Sequence, residues 1–380
     1  VGLETQIFTS GELEQNNQRK MRLFELVSSG DSILMAGAGC SASIYPDWSN
    51  FVNLLQKESK GIDPDFSPYN ESGEDFLAFA DRVKLCLGES RYYNFIYREF
   101  KPKTKTHEKY HEILCSLLHN NKFRAITTTN YDIILEHALA SVTHNGVDNS
   151  IWIDSGIEQA KIFEFLLSLN YSEVPKRIFH IHGKYDQKGS IILSEQEYKT
   201  KYGFSIIKPT NTIYQDIQAG VVSESEFDNL LYQHGYVWTP HRKILWSLFA
   251  GRRVVFLGFS MNDPYFQKML DYVSQDLHTN GYDAHYLILR ITPESKVRAF
   301  AFAGTIKEKY GVETVFYEDD TSFKGLERFI YEMERSINSN TTLEYNPITN
   351  NSQLVAEKAA NDDALTKELM KISREKNNAD

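Results

Sequence analysis

Ser32-Ile33-Leu34-Met35-Ala36-Gly37-Ala38-Gly39-Cys40-Ser41 runs from a short apolar strand directly into a loop of small residues, and a helix is predicted to begin close behind it, near Trp48. Gly37 and Gly39 permit backbone conformations and a close ligand approach that a Cβ would block. A strand ending in such a loop is a common seat for a pyrophosphate. The glycine spacing departs from the usual dinucleotide fingerprint, so a tight strand-to-helix turn stands beside the nucleotide site as an equal reading.

Outward from that junction, helix and strand alternate. A helix over 11–29, with Met21, Leu23, Phe24 and Val27 at helical spacing, leads into the first strand, and 48–59 reads as the helix after the loop. Residues 74–87 and 91–100 are amphipathic, and their aromatics Phe76, Phe79, Tyr93 and Phe95 read as the core of a small helical insertion spanning about 60–105. The pattern then predicts a helix over 107–118, a strand over 124–127, a helix over 131–139 and a strand over 177–181. Further strands fall at 253–257, 285–289 and 313–316, with helices at 263–273, 295–310 and 326–337. This order predicts an α/β fold, a Rossmann-like parallel sheet with helices on both faces. Residues 199–240 form a variable insertion that could cap a site. After 337 the composition turns rich in Asn, Thr and Ser, so 1–337 reads as one catalytic domain and 338–380 as a polar linker and tail.

The 380 residues can bury a sizeable core, and 41% hydrophobic against 24% charged residues is the balance of a soluble globular protein. No stretch approaches the roughly 18 consecutive apolar residues that span a bilayer, which predicts a cytoplasmic protein with no membrane partner. Cys40, Cys86 and Cys115 are widely spaced, with no C-x-x-C pair, so neither a disulfide framework nor a cysteine zinc cluster is indicated. A net charge of −10 argues against a surface devoted to nucleic acid.

In a parallel sheet, chemistry is expected just beyond the carboxyl ends of the strands. Those positions hold Gly37 to Ser41, Thr127-Thr128-Thr129-Asn130-Tyr131-Asp132, His182-Gly183, and Gly258-Phe259-Ser260-Met261-Asn262-Asp263-Pro264. Four polar or small-residue clusters on one sheet edge form a site.

These clusters carry a resemblance. Gly37-Ala38-Gly39-Cys40-Ser41 resembles the G-A-G-x-S loop of sirtuins, Thr128-Thr129-Asn130-Tyr131-Asp132 their T-Q-N-I-D segment, and His182-Gly183 their H-G, in the family's order. The Thr-Thr-Asn-Tyr-Asp wording and Gly-Phe-Ser-x-x-Asp-Pro look most like the sirtuin-like NAD-cleaving domains of bacterial anti-phage systems. Two departures matter: the chain has no cysteine after Cys115 for a zinc ribbon, and the usual Pro-Asp-Phe-Arg appears as Pro46-Asp47-Trp48-Ser49, without the arginine. Both point away from acyl-lysine peptide chemistry.

The resemblance implies an NAD+ glycohydrolase that releases nicotinamide and ADP-ribose with no metal required, acting in defence by depleting NAD+. Asn130 would hold the reactive ribose and position water, and His182 would act as general base. Its reference pKa of about 6.5 suits that role. Asp132 would bind the nicotinamide carboxamide, and Gly37, Ala38, Gly39 and Ser41 the pyrophosphate. Asp47 and Thr128 join the cofactor side, and Gly258, Ser260 and Asp263 meet the adenosine half. A domain able to destroy a central cofactor must be restrained, so a homo-oligomer is expected, and the resemblance implies that the chain would be the partner of a HerA-type hexameric ATPase.

Each residue has a plainer reading. Asn130 is a good helix N-cap for 131–139, Asp263 before Pro264 could likewise only cap, and His182 could be a core histidine, with His180 its nearest competitor. Binding NAD+ or ADP-ribose without turnover, as a sensor or scaffold, and a zinc-free protein deacylase remain as alternatives. The main decoy is His107-Glu108-Lys109-Tyr110-His111, an H-E-x-x-H pattern that on one helix face would suit a zinc hydrolase. Its only candidate for a third ligand is Glu136. Sirtuin-like domains often begin this helix with histidine.

Overall fold

The structure is a computed structural model that describes residues 7–70, 75–147, 149–154, 159–171, 173–202, 239–259, 261, 263–277, 285–319 and 324–339. Ser260, most of the expected 199–240 insertion and the expected tail beyond 339 lie outside the described residues.

Strand β1 (Ser32–Ala36) is buried along its whole length and sits inside the sheet, paired in parallel with β2 (Phe123–Thr128) on one side and β5 (Arg253–Leu257) on the other. Beyond β2 lie β4 (Ile178–His180) and β3 (Ser150–Trp152); beyond β5 lie β6 (His285–Ile291) and β7 (Val312–Glu318). The order is β3-β4-β2-β1-β5-β6-β7, and every pairing is parallel. Near-continuous apolar strands such as Val254-Val255-Phe256-Leu257 fit a sheet covered on both faces. The expected Rossmann-like α/β fold is what the chain adopts. The chain leaves β1 toward β2 and later returns to the far side of β1 at β5, so strand order reverses between β1 and β5. Connections leaving such a point in opposite directions open a crevice at the carboxyl ends of the strands.

Helix α1 (Ser10–Ser29) precedes β1, opened by a Thr9–Glu12 capping box and closed by Gly30 at φ 75°. The insertion after β1 is α2 (Trp48–Lys60), α3 (Phe76–Leu87) and α4 (Glu89–Phe100). Phe76, Phe79 and Phe95 are buried in its core as expected, whereas Tyr93 is half-buried and turns its hydroxyl to Glu197. Helix α5 (Lys109–His119) starts two residues later than its apolar pattern predicts, and α6 (Ile134–Thr143) three residues later. In the second case Asp132 Oδ1 accepts the Ile134 N–H, which leaves Asn130 upstream of the helix rather than at its N-cap. Strand β3 and the helices α7 (Gln159–Ser168), α8 (Glu195–Tyr202) and α9 (Pro240–Gly251) were not anticipated. Helices α10 (Pro264–Leu277), α11 (Lys296–Tyr310) and α12 (Lys324–Ser339) complete the layers.

Candidate functional site

The loop after β1 is sealed against the loop after β5 by backbone alone. The Gly37 N–H donates to Leu257 O and the Gly39 N–H to Gly258 O, both at 2.9 Å. The chain then makes one 3-10 turn, with Cys40 N–H on Gly37 O and Ser41 N–H on Ala38 O. All four of these N–H groups are thus committed to carbonyls. A Cβ on Gly37 would stand 2.6 Å from Gly258 O. The glycines are therefore required by the β1–β5 seam itself, a reason the sequence could not separate from ligand approach. From the other side, Tyr110 Oη and His111 Nε2 both donate to Cys40 O at 2.8 Å. The Cys40 thiol is buried, and burial pushes its pKa up to about 12, which leaves it a packing group.

Asn130 crosses from β2 to this loop. Thr128, the last residue of β2, donates its hydroxyl to Ala36 O and accepts the Asn130 N–H, each at 3.0 Å. So braced, the Asn130 amide donates from Nδ2 to Gly37 O at 3.1 Å and to Ser41 Oγ at 3.0 Å. Asp132 is buried two residues on; its Oδ2 has no hydrogen-bond partner among the described residues. Burial pushes its carboxyl up to about 6, against the Ile134 N–H and the nearby Ser41 hydroxyl, which pull it down.

The ladder of β4 continues one step past the strand, with the Ile181 N–H on Thr128 O, and so delivers His182 to the same sheet edge. Ile192 N–H then fixes His182 O at 3.0 Å. The His182 ring sits among Tyr198, Tyr202 and Phe266, all edge-on to it, with Nε2 3.1 Å from Tyr202 Oη. Burial drags its pKa down to about 3, so the ring is neutral. This corrects the expectation of an ordinary histidine value. His180, two residues earlier, reaches a separate set of partners: Asn130 O at 2.9 Å and Glu136 Oε1 at 2.5 Å.

Asp263 has two roles. Its Oδ1 accepts the Tyr265 and Phe266 N–H groups and so caps α10, while Oδ2 accepts the Tyr198 hydroxyl at 2.5 Å and lies 3.8 Å from His182 Nε2. Expected toward an adenosine half, it is brought beside His182. Helix α8, which carries Tyr198 and Tyr202, is held by buried Glu197. That carboxylate accepts from Lys84 Nζ at 2.8 Å, Tyr93 Oη at 2.9 Å, and the Leu193 and Ser194 N–H groups. The insertion thereby braces the wall of the His182 pocket.

Gly37, Ala38, Gly39, Ser41, Thr128, Asn130, Asp132 and Gly258 thus gather at the ends of β1, β2 and β5, with His182 and Asp263 on the β4 and α10 side. Asp47 is engaged in capping α2 through the Asn50 N–H. The sequence reading missed Tyr198, Tyr202 and the Glu136–His180 pair. The four-residue spacing of the tyrosines was visible, but their helix fell at the edge of a stretch without clear periodicity.

The H-E-x-x-H reading fails on geometry. His107 and Glu108 precede α5, and His107 Nε2 lies on Glu112. His111 Nδ1 accepts the Glu108 N–H while Nε2 donates to Cys40 O, so neither nitrogen offers a lone pair to a metal. Glu136, the candidate third ligand, is bound to His180 instead.

A family profile described as the SIR2-like domain matches residues 124–315, just over half of the chain. The matched span holds Asn130, Asp132, His182, Gly258 and Asp263, and begins after the glycine loop. No curated protein matches the chain.

Proposed function

The chain belongs to the SIR2-like domain family, which ties it to NAD-dependent chemistry in general, and from that premise we propose that it is an NAD+ glycohydrolase. The supporting observation is the Asn130 amide, held by Thr128 against Gly37 O and Ser41 Oγ at the point where strand order reverses. Cleavage breaks the bond between ribose C1′ and the pyridinium nitrogen. The electron pair leaves with nicotinamide, which becomes neutral and needs no general acid. A water oxygen bonds to C1′ and gives up one proton. The demand on the protein is to steady an oxocarbenium-like ribose and aim that water.

Asn130 meets the ribose and water, and neutral His182 accepts the proton. Asp132 faces the carboxamide, the 37–41 loop and Thr128 the phosphates, with Asp47 on the cofactor side and Gly258 and Ser260 toward the adenosine half, while Asp263 acts beside His182 rather than at that half. The substrate is NAD+, and no metal takes part. The wider setting is anti-phage defence by NAD+ depletion, in the cytoplasm, by a homo-oligomer partnered with a HerA-type hexameric ATPase. A mass measurement finding a monomer that ignores such an ATPase overturns that partnership.

Purified protein mixed with NAD+ is expected to release free nicotinamide, and Asn130→Ala and His182→Ala each to lower the rate about 100-fold or more. Variants as fast as the parent overturn the assignment. A second reading, NAD+ or ADP-ribose binding without turnover, is favoured by the depth at which His182 is buried. It predicts binding with no nicotinamide from any variant.

A further inference from the structure

His180 and Glu136 form a fully buried pair whose role the proposed chemistry leaves unassigned. His180 ends β4, between β2 and β3 in the sheet, and Glu136 lies in the first turn of α6. Asn130 O is a carbonyl and can only accept, so His180 Nδ1 carries a hydrogen and donates to it at 2.9 Å. The opposite ring nitrogen, Nε2, meets Glu136 Oε1 at 2.5 Å, a contact between two acceptors unless a hydrogen lies between them. Glu136 Oε1 is fixed in turn by the Ser150 hydroxyl on β3 at 2.7 Å. Three elements therefore converge on the main-chain carbonyl of the residue whose side chain faces the glycine loop. Burial pulls the His180 ring down, but the Glu136 carboxylate more than offsets it, which keeps the ring a strong donor.

We propose that His180, oriented by Glu136, is the positioning residue for Asn130, fixing its main-chain carbonyl so that its side-chain amide stays aimed at Gly37 and Ser41. Thr128 holds the Asn130 N–H and His180 holds its C=O, so the peptide groups on both sides of the residue are pinned. This deepens the glycohydrolase reading and rests on Asn130 facing the ribose. Misplacing a reacting group by about 1 Å costs on the order of 100-fold in rate.

Two substitutions of similar polarity separate positioning from packing. The amide of His180→Asn can occupy the place of Nδ1 and keep the bond to Asn130, whereas that of His180→Gln occupies the place of Nε2 and keeps only the bond to Glu136. His180→Asn is expected to retain kcat within about threefold. His180→Gln is expected to lower kcat about 10-fold to 100-fold with KM little changed, and to cause no further loss in an Asn130→Ala background. The reverse ranking, or an equal loss in both backgrounds, overturns the proposal. With asparagine labelled in 15N, the Asn130 side-chain amide, identified by its loss in Asn130→Ala, should stay protected from exchange in His180→Asn and become exposed in His180→Gln. Equal protection in both overturns the proposal. This second readout needs no turnover, so a parent protein that releases no nicotinamide defeats the glycohydrolase reading while the amide signal still decides the role of His180.

Discussion

Gly39 and Gly258 face each other across the β1–β5 seam with no room for a side chain on either. A Cβ on Gly39 would lie 2.9 Å from Gly258 Cα, and one on Gly258 would lie 2.2 Å from Cys40 N. Gly258 also sits at φ 64°, in the left-handed region. The closeness of the two loops brings the Gly37 carbonyl and Ser41 hydroxyl within reach of Asn130.

Gly258→Ala should therefore destabilise the fold by about 3 kcal/mol or more, combining a left-handed alanine with overpacking against rigid backbone. Gly304→Ala should act with the opposite sign. Gly304 lies inside α11 with nothing within 4 Å of its missing Cβ, and alanine there should add about 1 kcal/mol. Urea midpoints for the two variants test both signs, and a neutral Gly258→Ala would refute the seam argument.

Acid should weaken the fold below the ordinary histidine range. Burial lowers His285 and His111 to about 4, and His182 and His241 to about 3. Two of these rings also accept a backbone N–H at Nδ1, His285 from Val254 and His111 from Glu108, and protonation would destroy both acceptors. The unfolded chain, with histidines near 6.5, takes up protons before the folded one, so stability is present above that value and lost as pH falls toward 4. His180 and Asp132 are shifted upward and act in the opposite direction, Asp132 only below about 6. Urea midpoints should fall from pH 6.5 to 5, with a shallower slope in His111→Asn; a flat profile would contradict the neutral rings.

Most of the sheet was legible because its strands are apolar runs bounded by small or polar residues, and strands beside helices leave few topologies. Val254 to Leu257 and Ile33 to Ala36 needed nothing more. Strand β3 escaped because Ser150-Ile151-Trp152 is too short to show a period, and its pairing with β4 is a tertiary fact. Within the site, Asn130 and His182 were readable from their places after strands. The pairing of His180 with Glu136, 44 residues apart, and of Tyr198 with Asp263, 65 apart, depends on helix packing that no local pattern encodes. The lowered pKa of His182 had the same origin, since its aromatic walls come from α8 and α10.

Neutral His182 sets the pH profile of the proposed reaction. A base with the ordinary value of about 6.5 would be only about a quarter unprotonated at pH 6. With His182 near 3, the base form is present throughout the neutral range. Asp132, pushed up to about 6, adds its own acid limb, so the His182 contribution is read in an Asp132→Asn background, where kcat/KM for nicotinamide release should vary less than about twofold between pH 6 and 8. An acid limb centred near 6.5 that persists in that background would show that His182 is far less buried in solution.

Tyr198 links the two acidic and basic groups of that pocket. Its hydroxyl donates to Asp263 Oδ2 at 2.5 Å and lies 3.4 Å from His182 Nδ1, while its ring stacks on Tyr265 with centroids 4.5 Å apart. Tyr198→Phe keeps the stacking and removes only the hydroxyl. The half-buried Asp263 carboxyl, already pushed up by desolvation, then loses a bond that pulls it down, and its protonated form gains. The expected cost is about 1.5–3 kcal/mol of stability, the range for a hydrogen bond to a charged group. If the Asp263 charge supports the proton taken up by His182, kcat should fall about tenfold, and Tyr198→Phe should cost much less in an Asp263→Asn background. Equal losses in both backgrounds, read from nicotinamide release alongside urea midpoints, would show that the tyrosine serves packing alone.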